Sequence, residues 1–362
     1  MRRLCRARAA ALLLGLAGAA MAGSRSADVP EAASLRALYA RPPAQWPAPE
    51  LEPGANFVAF GVPAPLPPPD PALARLGATL FGDPRLSASG AMSCASCHDP
   101  SHSFADPRPL WPAATAAPPR DAPSLLGVAR YAGFGWEGME RSLAAQSLRP
   151  LTQRDEMANA DAAVVAVRVA GLAEYRPLVA ATFGEGAIDA GRLGAALAAY
   201  LGGLDAPTRF EAFLGGDYGS LGDEEIRGLH LFRTKAGCAN CHSGPTLADG
   251  GAHNLGLSAF GEPREDLGRF RLTGEVQDAG RFRTPSLRHV GRTAPYMHNG
   301  LFPSLEGVVN LYARGGGEVW VRNEAEARHP LHAEAARRDT LLRPRDLDAT
   351  ERAALVAFLR AL

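Results

Sequence analysis

Cys94-Ala95-Ser96-Cys97-His98 and Cys238-Ala239-Asn240-Cys241-His242 are the stretches on which the reading of this chain turns. Two cysteines three apart reach the two vinyl groups of one haem, and the histidine that follows at once turns its imidazole to the iron as an axial ligand. A CxxC pair alone also suits half a zinc site or a thioredoxin-like redox pair. Zinc, however, needs two pairs to converge, and a redox pair does not call for a following histidine. Two complete copies predict two covalently attached c-type haems, one on His98 and one on His242.

Outward from each motif the surroundings repeat. Leu73, Leu76 and Leu80 have helical spacing and stop near Gly82-Asp83-Pro84, shortly before the first CxxCH. Asp223, with acids at 224 and 225, opens a helix through Ile226, Leu229 and Phe232 that runs toward Gly237 and the second. Residues 161–171 and 188–204 read as helices. The C-terminal segment begins with Asp348 three before Glu351, a capping-box spacing, and carries Leu355, Leu359 and Leu362 on one face. No run of alternating strand pattern competes. The expected fold is all-α: two cytochrome c-like haem domains with long Gly/Pro-rich loops, residues 72–218 and 219–362, joined near Gly215-Gly216-Asp217-Tyr218-Gly219.

Ahead of them, residues 23–71 form a Pro/Ala-rich lead-in, expected to be extended with little regular structure. Residues 1–22 carry Arg2, Arg3, Arg6 and Arg8, an apolar stretch, and Ala20-Met21-Ala22, which reads as a signal peptide cleaved near Ala22 and predicts a periplasmic protein. The apolar core is shorter than the roughly 20 residues a membrane span needs, and no later stretch reaches that length. Cleavage also removes Cys5, so the four remaining cysteines are all in the two motifs. The 38 basic and 38 acidic residues cancel, which gives no reason to expect nucleic acid or an anionic membrane as partner.

Beyond the motifs, the chain resembles the bacterial di-haem cytochrome c peroxidase and MauG superfamily from about residue 72 to its end. The resemblance is carried by Leu76-Gly77, Leu80-Phe81, Asp83-Pro84-Arg85-Leu86-Ser87 and the first CxxCH. It continues in Trp136-Glu137-Gly138, Leu143, Gln146, Pro150 and Glu156-Met157. Its C-terminal part is Phe282 to Arg288, Thr293 to Gly300 and Val308 to Tyr312. The resemblance implies that Gln146 and Glu156 are the polar residues over the N-terminal haem, that Pro150 walls the same pocket, and that Trp136 bridges the two haems. Cleaving the O–O bond of hydrogen peroxide needs a base that takes a proton from one oxygen and returns it to the other, and a carboxylate in an apolar pocket can do both. Read by composition alone, Glu156 is one more solvated carboxylate beside Arg154 and Asp155, and Trp136 an ordinary core aromatic. The resemblance also implies a calcium ion held by Thr293, Pro295 and Asp121.

Three departures matter. Family members commonly block the N-terminal haem with a histidine about 16 residues beyond the first CxxCH. Here Ala114 stands there, and the nearby His102 reads as a surface residue or a propionate contact, so this haem is expected to be open. The C-terminal haem, ligated by Met in conventional members, has Tyr312 at the matching position, as in the MauG branch, with Met297 and His298 as competitors. Phenolate favours oxidised iron, whereas thioether favours reduced iron. Lastly, the MauG branch has a Trp just ahead of the second CxxCH, where this chain has Lys235-Ala236-Gly237.

The expected function is a di-haem peroxidase, drawing electrons from a small periplasmic redox protein (a cytochrome c or cupredoxin) or from a side chain of a protein substrate. The alternative is a di-haem electron-transfer cytochrome with both irons capped. A haem-bearing structural subunit has no sequence feature in its favour.

Overall fold

Asp70 ends the proline-rich lead-in by accepting from the backbone N–H groups of Ala72 and Leu73, with Pro71 at the first helical position, and so starts a helix where the leucine spacing predicts one. In the computed structural model, which describes residues 32–108 and 120–362, the helices are α1 (Ala32–Tyr39), α2 (Pro71–Gly82), α3 (Leu143–Thr152), α4 (Ala162–Gly171), α5 (Arg176–Phe183), α6 (Ala190–Gly202), α7 (Arg209–Leu214) and α8 (Asp223–Arg233). The short α9 (Phe270–Thr273), then α10 (Leu305–Ala313), α11 (Glu324–Ala327), α12 (Pro330–Ala336) and α13 (Ala349–Leu359) complete the set. No helix among the described residues is long and apolar enough to cross a membrane.

The same joint occurs twice. On α2, a Cβ at Gly77 would overlap the Ala196 carbonyl oxygen of α6 and crowd Tyr200. On α8, one at Gly228 would overlap the Ala354 carbonyl oxygen of α13 and crowd Phe358. Each glycine lies on the helix ahead of a CxxCH, and its absent side chain lets a later helix lie directly against that backbone. Around the first joint Leu76, Leu80, Leu193, Leu197, Val165 and Leu151 form a buried core. At the second, Phe210, Phe232 and Phe358 meet edge to face with centroids 5.1–5.3 Å apart.

Gly228→Ala is therefore expected to lower stability. Overpacking against backbone costs about 3 kcal/mol, against which alanine's better helix propensity returns about 1. A urea midpoint shift corresponding to about 2 kcal/mol is the expected result. A change below about 0.5 kcal/mol would mean that the α8–α13 contact is loose.

Ala32–Leu362 form one compact unit. Ion pairs fasten sequence-distant segments: buried Arg288 donates to Asp205 at 2.7 Å and to Glu211 at 2.6 Å, and Arg120 holds both Glu137 and Asp266. With all partners present such clusters are satisfied, and removal of one member strands a buried charge.

Two expectations need correction. The chain is predominantly helical but not free of strands: β1 (Ala252–Asn254) pairs antiparallel with β2 (Arg281–Arg283), Ala252 opposite Arg283. Three residues per strand are too few for alternation to appear in the sequence. Residues 47–70 are extended, as expected, but Ala32–Tyr39 is helical and lies on α8, where Leu35 and Tyr39 are wholly buried. The lead-in is thus part of the core.

Candidate functional site

Each CxxCH begins with one turn of 3-10 helix, Cys94–Ser96 and Cys238–Asn240, and the histidine N–H closes back on the first cysteine carbonyl at 2.9 Å in both. The imidazoles are then fixed in the same way. His98 Nδ1 donates to the Phe104 carbonyl at 3.1 Å and His242 Nδ1 to that of Leu247 at 3.0 Å. Phe104 and Leu247 both have left-handed backbone, at φ 57° and 54°. A carbonyl only accepts, so Nδ1 carries the proton in each ring and the Nε2 lone pair is left for a metal. Burial lowers both histidine pKa values and keeps the rings neutral, as ligation requires.

The four motif cysteines are unpaired, and burial pushes Cys94 and Cys238 up to about 12. Thiols held so far from ionisation do not suit a thioredoxin-like exchange centre. Nor do the two pairs converge: the one cluster of metal-ligand type among the described residues is Cys241, Asp249 and His253. The zinc and dithiol alternatives therefore fall away.

Beside the second motif opens a cleft with about 1400 Å³ of empty space including its mouth, its walls almost wholly apolar. Cys238, Cys241 and His242 lie on it together with Tyr312, Met297 and His298, so all three candidate sixth ligands share one cavity. Burial raises the Tyr312 pKa, and Cys241 and Cys238 add to the shift. His298, by contrast, stacks on Phe282 at 3.7 Å, and burial takes its pKa down to about 4. Arg283 also lines the cleft. Its guanidinium lies over the Tyr131 ring and donates to the carbonyls of Gly135 and Thr284, has no carboxylate partner among the described residues, and is lowered in pKa by burial. A large apolar slot bearing thiols, a free imidazole nitrogen and an uncompensated cation fits a haem with its propionates.

Near the first motif, Ser142 caps α3, which carries Gln146 and Pro150. Gln146 Oε1 is buried and unpartnered. The space over Gly135, which has φ 71°, brings together Glu137 Oε2, Gln146 Oε1 and Arg149 Nη1, at 3.3, 3.7 and 3.8 Å from where a Cβ would stand. Glu156 follows in a turn whose N–H groups at 156 and 158 both bond the Gln153 carbonyl. The neighbouring Met157 carbonyl accepts from Ala88 N–H, and buried Asn159 donates to the carbonyls of Leu86 and Leu151. Glu156 is itself an exposed residue, although the protein around its carboxyl partly desolvates it. Burial raises its pKa, Arg149 opposes, Asp155 adds, and its own field raises Cys94 and Cys97. Glu156 is thus within electrostatic reach of Cys94 and Cys97.

Trp136 belongs to both neighbourhoods. Its Nε1 donates to the Asp121 carbonyl at 2.8 Å, its carbonyl accepts from Arg283 N–H, and its ring lines the cleft edge-on to His298 at 6.3 Å. Asp121 is buried, and its carboxyl pKa is pushed up to about 8, first by burial and then by Asp106. Its N–H bonds the His298 carbonyl in the loop that carries Thr293 and Pro295. His102 is an exposed residue held by Asp99 and Ser101. Ala114 lies outside the described residues. The carbonyls of Phe104 and Leu247 and the cation of Arg283 were not singled out from sequence. Arg283 stands inside the quoted 282–288 stretch, but only its burial without a counter-ion marks it.

Residues 71–219 match the family described as di-haem cytochrome c peroxidase. The methylamine utilization protein MauG of Methylorubrum extorquens is 38% identical over 302 residues, covering 82% of this chain and 79% of that protein. The cytochrome-c peroxidase IdrP1 of Pseudomonas sp. strain SCT is 33% identical over 337 residues, 83% of this chain and 84% of that one. A crystal structure of a MauG-like protein associated with microbial copper homeostasis superposes with a TM-score of 0.71 at 33% identity, over 83% of this chain and 94% of that one. That of the diheme peroxidase BthA from Burkholderia thailandensis gives 0.64 at 29%, over 87% and 94%. With the paired CxxCH sites and their matched histidine anchors, these likenesses establish that the chain belongs to the di-haem cytochrome c peroxidase and MauG family and is a hydrogen peroxide-dependent oxidoreductase.

Proposed function

We propose that this chain is a periplasmic peroxidase whose signal peptide is removed near Ala22, leaving haem domains over residues 72–218 and 219–362. Cys94 and Cys97 hold one haem covalently, with His98 as its ligand. Cys238 and Cys241 would hold the other, with His242 and Tyr312 as its ligands. When bound, the haems supply the electrons that reduce peroxide.

The protein's part is acid–base and positioning chemistry. Glu156 takes a proton from one peroxide oxygen and returns it to the one that leaves as water, which its raised pKa suits. Gln146 offers the buried amide that orients the peroxide, Pro150 closes the wall, and Trp136 couples the two sites. Tyr312 is preferred over Met297 and His298 because it stands at the family's ligand position and lines the cleft with Cys238, Cys241 and His242, whereas the His298 ring is engaged by Phe282. Asp121, with carbonyls of Thr293 and Pro295, would hold a calcium ion, which would relieve its buried carboxyl. Electrons come from a small periplasmic cytochrome c or cupredoxin, or from a side chain of a protein substrate.

The single observation that carries this reading is the unpaired Gln146 together with the raised carboxyl of Glu156 beside the first motif. Anaerobic mixing of holoprotein with one equivalent of peroxide tests it: the haem absorption is expected to change and the peroxide to be consumed. No change, with both irons low-spin, would make the chain an electron-transfer cytochrome.

A further inference from the structure

The second CxxCH has no aromatic immediately ahead of it, yet an aromatic file leads out of its cleft in another direction. Phe232 lines the cleft. From it the ring centroids run to Phe60 at 6.3 Å, to Trp46 at 6.4 Å and to Tyr39 at 5.1 Å. The last three belong to the lead-in, and Phe232 is on α8, whose end lies five residues before Cys238.

Tyr39 is wholly buried, and its hydroxyl stands 3.0 Å from His230 Nδ1 and 3.1 Å from Arg233 Nη1. Arginine has no acceptor, so it donates to the phenol oxygen, and the phenol proton is left to bond His230 Nδ1. In the tautomer with the proton on Nε2, that nitrogen carries the lone pair that accepts it. Burial and then Arg233 lower the His230 pKa and keep it neutral, while burial raises that of Tyr39 and keeps its proton in place. His230 is partly exposed, so a proton received there can pass to water. Arg233 lies over the rings of both Trp46 and Tyr39, at 5.2 and 5.5 Å.

We propose that Trp46 and Tyr39 form a one-electron relay that leads from the His242 site toward the partly exposed His230, which is the proton acceptor of Tyr39. Phenylalanine is too hard to oxidise to hold the hole, so Phe232 and Phe60 are packed medium, and tryptophan and tyrosine are the stations. In the step, Tyr39 gives one electron, through Trp46, to one of the two oxidising equivalents that peroxide leaves in the haem pair. Its phenol proton moves to His230 Nδ1. The products are a neutral phenoxyl radical and an imidazolium, and a one-electron donor at the surface restores the phenol while the imidazolium returns the proton. The relay gives oxidising power a route to an external donor that does not pass Lys235-Ala236-Gly237. It rests on the peroxidase reading above.

The test is freeze-quench electron paramagnetic resonance of holoprotein mixed with one equivalent of hydrogen peroxide without donor, with haem absorption followed in parallel. Wild type is expected to give an organic radical that narrows when tyrosine is ring-deuterated. Tyr39→Phe is expected to lose that signal while keeping both haems and the absorption change, and Trp46→Phe and His230→Gln to delay it. Tyr39 as a mere structural hydrogen-bond donor predicts an unchanged signal in all three variants, and that result would overturn the relay. An absorption change in wild type with no tyrosine radical would also overturn it alone, whereas no absorption change would overturn it together with the peroxidase reading.

Discussion

Glu156→Gln is expected to keep both haems and the fold, and to lose peroxide reactivity by about 10²–10⁴-fold, the usual contribution of a positioned acid–base group. The amide matches the carboxylate in size but cannot take or return a proton. Wild-type reactivity should rise with pH as Glu156 ionises, at a pH above the ordinary carboxylate range because burial favours its neutral form. The variant should be flat across that step. The stability linkage has a matching sign. With a raised folded-state pKa, the contribution of Glu156 is full below its unfolded value and is lost as pH rises through the folded one. Stopped-flow absorption across a pH series reads both effects. Unchanged kinetics in the variant would remove Glu156 from the mechanism.

The parts of this molecule that were legible in its sequence are those written in side chains at fixed spacing. Cys94-x-x-Cys97-His98 and its repeat point to the di-haem family because their order and spacing suit haem. Asp348 and Glu351 form the capping box that their spacing implies, and α4 begins at Ala162 beside its cap Asp161. What escaped is written in backbone or in context. The left-handed Phe104 and Leu247 anchor the histidines through carbonyls that every residue possesses. Gly77 and Gly228 act through missing atoms, which only a neighbouring helix reveals. The helix at Ala32–Tyr39 was hidden by the Pro- and Ala-rich composition around it, although Leu35 and Tyr39 stand four apart, one above the other on the same face. Sequence spacing left Tyr312, Met297 and His298 open, and the cleft holds all three, with the His298 ring stacked on Phe282.

Tyr312→Phe is expected to have the second large effect. The phenyl ring fills the same volume but offers no oxygen, so a haem ligated by Tyr312 would lose that ligand while the His98 haem kept its own surroundings. Phenolate is an anionic donor that stabilises oxidised iron, so its loss should also shorten the life of the peroxide-oxidised state. Burial in an apolar cleft holds the phenol protonated in the absence of a cation, and only iron opposite it would make the ionised form favourable. Ligation by Met297 or His298 would instead leave the variant with the wild-type low-spin spectrum.

Electron paramagnetic resonance of the resting ferric protein tests the central claim most directly, since it separates one open haem from one capped haem. The account predicts one high-spin signal from the His98 haem and one low-spin signal from the His242 haem, with Tyr312→Phe altering the low-spin signal and leaving the high-spin one nearly intact. Two low-spin irons, or a low-spin signal identical in Tyr312→Phe, would contradict it.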